Sequence, residues 1–110
     1  MAALILSSMK PRLIQAWRSE GPPLVKLFGG AACTWLISEM DPDQPDLMFG
    51  LCDLGFGTPE LGYVRLSELE AIRFPPFGLG VERDRYWSAV KGKTMAQYAA
   101  EARVKGRIAA

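Results

Sequence analysis

The chain has 110 residues, 49% of them hydrophobic and 23% charged, with 13 basic and 12 acidic side chains and no histidine. That length supports one domain with one modest core, here 1–110, and the composition is globular rather than the charge-rich, apolar-poor signature of disorder. A net charge of +1 argues against non-specific DNA binding and equally against a DNA mimic, and the missing histidine excludes Ser-His-Asp and Cys-His catalysis and histidine-containing metal sites.

At the amino terminus the apolar run Ala2–Leu6 falls far short of the roughly 20 residues that cross a bilayer as a helix, so no membrane span is expected. Met1 to Ser8 also lacks the basic start, longer apolar segment and small-residue cleavage site of a secretory signal, and cytoplasmic residence is the expectation. Met9, Leu13, Ile14 and Trp17 recur at helical spacing behind Ser7 and Ser8, either of which can cap, with Pro11 in the first turn where its missing amide is tolerated. The helix should stop at Gly21-Pro22, because proline disfavours helical geometry in the residue before it.

Four short runs follow, each bounded by turn formers: Leu24–Phe28, Cys33–Met40, Leu47–Asp53 and Leu61–Leu66. In the second, Cys33, Trp35 and Ile37 alternate with Thr34, Leu36 and Ser38; in the third, Leu47, Phe49 and Leu51 alternate with Met48, Gly50 and Cys52. Both strands therefore present apolar groups on two faces. Their connections are too short for parallel crossovers, so an antiparallel meander is predicted. Ser67 to Glu70 reads as a helical turn capped by Ser67, Gly80–Arg83 as a fifth strand, and Thr94 as the cap of a helix with Met95, Tyr98, Ala99 and Ala102 inward and an end near Gly106. The fold class that results is α+β: a four- to five-stranded antiparallel meander packed with an N-terminal and a C-terminal helix. Leu24–Phe28, with Lys26 as its one charge, is the expected exposed edge, and homodimerisation through it is one expected mode of self-association.

Chemistry-bearing residues are sparse. Cys33 and Cys52 lack CxxC spacing and read as buried small apolar residues. Asp53 and Glu60 flank LGFGTP, a glycine loop that can bring two carboxylates to one strand end for metal binding or acid and base work; the plainer reading is that Asp53 bonds turn amides and Glu60 is solvated. The Gly55/Gly57 loop opens onto a strand rather than a helix, unlike the usual phosphate loop. Gly92-Lys93-Thr94 resembles the end of a P-loop, but Trp87 occupies the position of its first glycine, leaving a helix cap. No cofactor or metal is expected.

Charge is unevenly spread. Glu39 to Glu70 holds eight acids against one base, a net −7, whereas Arg83 to Ala110 holds seven bases against two acids, a net +5. The basic part includes aromatic residues, so Arg83, Arg85, Tyr86, Trp87, Lys91 and Lys93 form a candidate surface for single-stranded nucleic acid. Against it stands a simpler arrangement in which Tyr86 and Trp87 cover the core and the cations solvate the last helix.

The segments VKLF, TWLISEMDPDQPDLMFGLCDLGFGTPELGYVRLSELE, GLGVERD and YAAEAR together resemble the small bacterial domain-of-unknown-function family numbered 2958, from roughly Pro23 to Ile108. The resemblance implies carriage on plasmids, phages or integrated elements and implies no catalytic residues. With histidine, nucleotide loop and cysteine cluster all missing, the sequence favours binding over chemistry. The leading expectation is a non-enzymatic adaptor or inhibitor that contacts a host or mobile-element protein through Asp53, Phe56, Glu60, Tyr63 and Arg65; the alternatives are the nucleic-acid surface and a carboxylate-based, metal-dependent enzyme.

Overall fold

The computed structural model describes residues 3–110, so Met1 and Ala2, at the start of the amino-terminal apolar run, lie outside the described residues. In chain order the elements are α1 Lys10–Gln15, β1 Val25–Gly29, β2 Cys33–Met40, β3 Leu47–Asp53, β4 Glu60–Arg65, α2 Leu66–Ala71, β5 Glu82–Arg83 and α3 Met95–Lys105. The strands form one antiparallel sheet in the order β4-β3-β2-β1-β5. This is the α+β meander expected from the alternating runs, and β2 and β3 have the predicted limits.

Helices cover both faces of the sheet. One face carries Leu27, Trp35, Ile37 and Met48 beneath Leu4, Ile5, Leu13 of α1 and Leu66 and Leu69 of α2. The other carries Leu36 and Leu51 beneath Met95, Tyr98, Ala99 and Ala102 of α3 and Ile108 beyond it. The two-sided apolar pattern of β2 and β3 requires this, because an uncovered face would leave large apolar groups in water at about 25 cal/mol per Å². A register shift between Ile37 and Glu39 marks a bulge at Ser38, which returns Met40 to the face of Ile37. At the same place Leu36 O approaches the backbone of β3 so closely that a Cβ on Gly50 would collide with it. A glycine is required there by contact rather than by backbone angle.

Several expectations are corrected. Neither Ser7 nor Ser8 caps α1; Met9 holds the cap position without a side-chain bond, although Pro11 does lie in the first turn. The helix also ends at Gln15, well before Gly21, because the Arg18 amide donates to Glu39 Oε1 (2.7 Å) instead of to a helix carbonyl, with Arg18 and Glu20 in left-handed geometry. Ser67 is not the cap of α2. That helix starts at Leu66, and Asp46, from before β3, accepts both the Ser67 amide (2.8 Å) and its hydroxyl (2.7 Å). Nor is β1 an edge, since β5 pairs with it at Leu27 and Phe28 and the Asp84 amide extends the pairing to Lys26 O. The open edge on that side is β5, and the long open edge of the sheet is β4.

Candidate functional site

Asp53 ends β3 on the α3 face, opposite Thr34. It is 2% exposed, and its two oxygens accept the Gly55 amide and the Ile108 amide, each at 2.9 Å. The carboxylate thus holds both its own turn and the segment after α3, and it presents nothing to a ligand. Glu60 pairs with Cys52, the residue before Asp53, and therefore points to the opposite face. The two carboxylates are separated by the sheet, and among the described residues no group of three His, Cys, Asp or Glu side chains converges. Both thiols are half-buried rather than fully buried, packed at the margin of the first core. Burial pushes the Cys52 thiol up to about 11, and burial together with the Asp53 charge raises that of Cys33. Neither has the thiolate character of a nucleophile at neutral pH.

Beyond Asp53 the chain turns outward through Gly55 and Gly57, both with positive φ, and exposes Leu54 and Phe56, the latter 82% exposed. This loop stands against the β1–β2 turn: Cys33 Sγ donates to Leu54 O (3.6 Å), and a Cβ on Gly55 would lie 3.0 Å from Ala32 Cβ. The β1–β2 turn in turn borders a groove of about 240 Å³, walled by Phe28, Gly29, Gly30, Phe74, Phe77 and Leu79. Phe74 packs directly on Gly29 and Gly30, where side chains would displace its ring. Phe77, by contrast, is 84% exposed, and Phe28, Leu79 and Leu54 are exposed as well. Three loops thus meet at one end of the sheet to form an apolar rim: the β1–β2 turn shares the groove with Phe77 through Ala31 and touches the Leu54–Gly57 loop, which bears Phe56, through Ala32.

On β4, Tyr63 is 63% exposed, with its ring 5.2 Å from Phe49 and 6.1 Å from Trp17 between centroids. Arg65 lies 3.8 Å from Asp46 at the far end of the same strand. The structure thus places Phe56 on the rim and Glu60, Tyr63 and Arg65 along the adjoining edge, with Asp53 underneath. Phe28, Phe77 and Leu79 escaped the sequence reading. For Phe77 the signal was the aromatic-proline cluster Phe74-Pro75-Pro76-Phe77, which fits neither helical nor strand periodicity.

The basic segment divides in two. Arg83 donates to the carbonyls of Ala3 (2.6 Å) and Leu4 (3.1 Å), Trp87 packs on the second core near Tyr98, and Lys93 pairs with Glu101 (2.6 Å) above the Tyr98 ring. Lys93 bonding is the main cause that holds the Glu101 carboxyl below its usual range. Arg85, Tyr86 and Lys91 are exposed, Tyr86 at 97%. Half of the proposed nucleic-acid surface is thereby committed to internal structure. A cleft of about 570 Å³ between α2 and β5 also has mixed charge, from Arg73, Arg83, Arg85, Glu70 and Glu82.

A family model described as protein of unknown function (DUF2958) matches residues 4–109 of the chain. No curated protein and no solved structure matches it.

Proposed function

The chain belongs to the DUF2958 family, and from that premise, which brings no assigned activity, we propose that it is a non-enzymatic, cytoplasmic adaptor or inhibitor, carried by a mobile element, that binds another protein. The observation that carries this reading is the apolar rim. Phe56, Phe77, Leu54 and Leu79 contribute to neither core, so their exposure is unexplained by folding. Contiguous exposed apolar groups beside polar ones are characteristic of protein interaction sites, and aromatic side chains supply most of the binding energy at such sites. Glu60, the first residue of β4, is an exposed charge next to the rim and suits it to orienting a partner. The separation of Asp53 from Glu60 and the high thiol ionisation ranges favour binding over a carboxylate or cysteine reaction.

The test is an affinity pull-down from host lysate with and without nuclease, comparing the parent protein with a Phe56→Ser/Phe77→Ser variant. A specific protein retained after nuclease treatment and lost with the variant is the expected result. Retention only of nuclease-sensitive material, abolished by Arg85→Glu/Lys91→Glu and untouched by the rim variant, would overturn the reading.

A further inference from the structure

The β4 edge carries an observation that the monomer does not account for. Every other described glycine has a positive φ or a neighbour within 3.2 Å of the position its Cβ would take; Gly62 has neither, and a Cβ there would meet nothing within 4 Å. A glycine in the middle of a strand weakens it unless another backbone or side chain must come close. Among the described residues no such second body lies above Gly62.

The backbone of β4 shows where it would approach. Leu66 N donates to Asp46 O (2.8 Å), continuing a β3–β4 register that pairs Met48 with Val64, Gly50 with Gly62 and Cys52 with Glu60. Bonded and non-bonded pairs alternate along an antiparallel ladder, so these even-numbered residues bond β3, and the amides of Leu61, Tyr63 and Arg65 point out of the sheet. Between Glu60 and Arg65 there is no lysine, proline or bulge of the kind that usually blunts an edge.

We propose that β4 pairs antiparallel with β4 of a second copy, about a twofold axis at Tyr63, joining two sheets into one. A twofold axis perpendicular to the sheet keeps each face continuous, so Tyr63 meets Tyr63 of the partner subunit on one side. On the other, Val64 of the partner subunit fills the space above Gly62, and the reverse contact repeats it. Leu61 lies opposite Arg65 of the partner subunit, and no two like charges are brought face to face. The outward amides gain acceptors, and a tyrosine that is 63% exposed is covered. This inference is independent of the rim: it uses the strand edge, not Phe56 or Phe77.

The experiment is sedimentation or light-scattering mass measurement on the purified full chain, with Tyr63→Lys, Tyr63→Glu and their equimolar mixture, each variant first shown to be folded by circular dichroism. The parent protein is expected at twice its 12.1 kDa chain mass, each variant at the single-chain mass, and the mixture back at the double mass because lysine then faces glutamate across the axis. In parallel, hydrogen exchange of the parent protein should show Leu61, Tyr63 and Arg65 amides protected at high concentration and unprotected on dilution. A parent protein that stays at the single-chain mass, as when the edge serves a strand of a different protein, overturns the proposal. So does a dimer that both variants retain, or a mixture that fails to restore it.

Discussion

Asp53 illustrates how one buried carboxylate can organise two distant segments. Its oxygens receive amides from Gly55, two residues on, and Ile108, on the far side of the chain. Charge-assisted bonds of this kind contribute more than neutral ones, and the Ile108 amide, whose bond is buried, has no water to replace the acceptor if it is lost. Asp53→Asn keeps the shape but turns an NH₂ group toward one of the two amides. Its expected effect is a destabilisation of about 2 kcal/mol, together with faster hydrogen exchange at the Ile108 amide. An unchanged melting temperature would show that the tail is held by Ile108 packing alone.

At the scale of the element, α3 is the best-defined helix. Thr94 Oγ1 accepts the Gln97 amide (3.1 Å), and Gln97 Oε1 accepts the Thr94 amide (2.8 Å), while Gly106 closes the other end in left-handed geometry. Met95, Tyr98, Ala99 and Ala102 are the buried face, as the spacing predicted, and the Tyr98 hydroxyl accepts the Val90 amide (2.9 Å). Thr94→Ala should lower stability to urea by about 1 kcal/mol, and Thr94→Ser should recover most of it. Equal losses in the two variants would assign the effect to the threonine methyl and not to the cap. The short helices depend instead on tertiary partners: α1 has no side-chain cap, and α2 borrows Asp46 from just before β3.

Across the whole molecule, two half-buried carboxylates tie separate parts together. Asp46 is held below the usual carboxylate range mainly by the Ser67 hydroxyl and amide, and Glu101 mainly by Lys93. A depressed folded-state value contributes stability above the unfolded value and loses it as pH falls through the folded one. The ordinary values are 3.8 for Asp46 and 4.5 for Glu101, so the melting temperature should show no loss from these groups between neutrality and about pH 5 and should fall at more acid pH. Asp46→Asn/Glu101→Gln should show a smaller acid-induced fall than the parent. If the two profiles run parallel, these ties contribute nothing to acid sensitivity.

The strand pattern was legible in the sequence because β2 and β3 are short, mostly apolar runs bounded by turn formers, and α3 because its cap, stripe and terminal glycine agree with one another. Local signals of that kind act over a few residues. The limits of α1 and α2 were not legible, since Glu39 and Asp46, far away in the chain, decide where those helices end and begin. The candidate site was legible only in part. Phe56, Glu60, Tyr63 and Arg65 all lie on the surface, spread from the rim along the length of β4, but whether Asp53 faced solvent depended on which face β3 turned toward α3. The rim of Phe77, Ala31, Ala32 and Phe56 comes from three loops that only the sheet order brings to one end. By itself the sequence determined the fold class and the scarcity of reactive groups, which follow from local period and composition, and the family, which follows from the resemblance of its long residue segments. Which edge stays open, which carboxylate is buried and which aromatic groups share a surface were decided by tertiary structure, because each depends on contacts between residues remote in the chain.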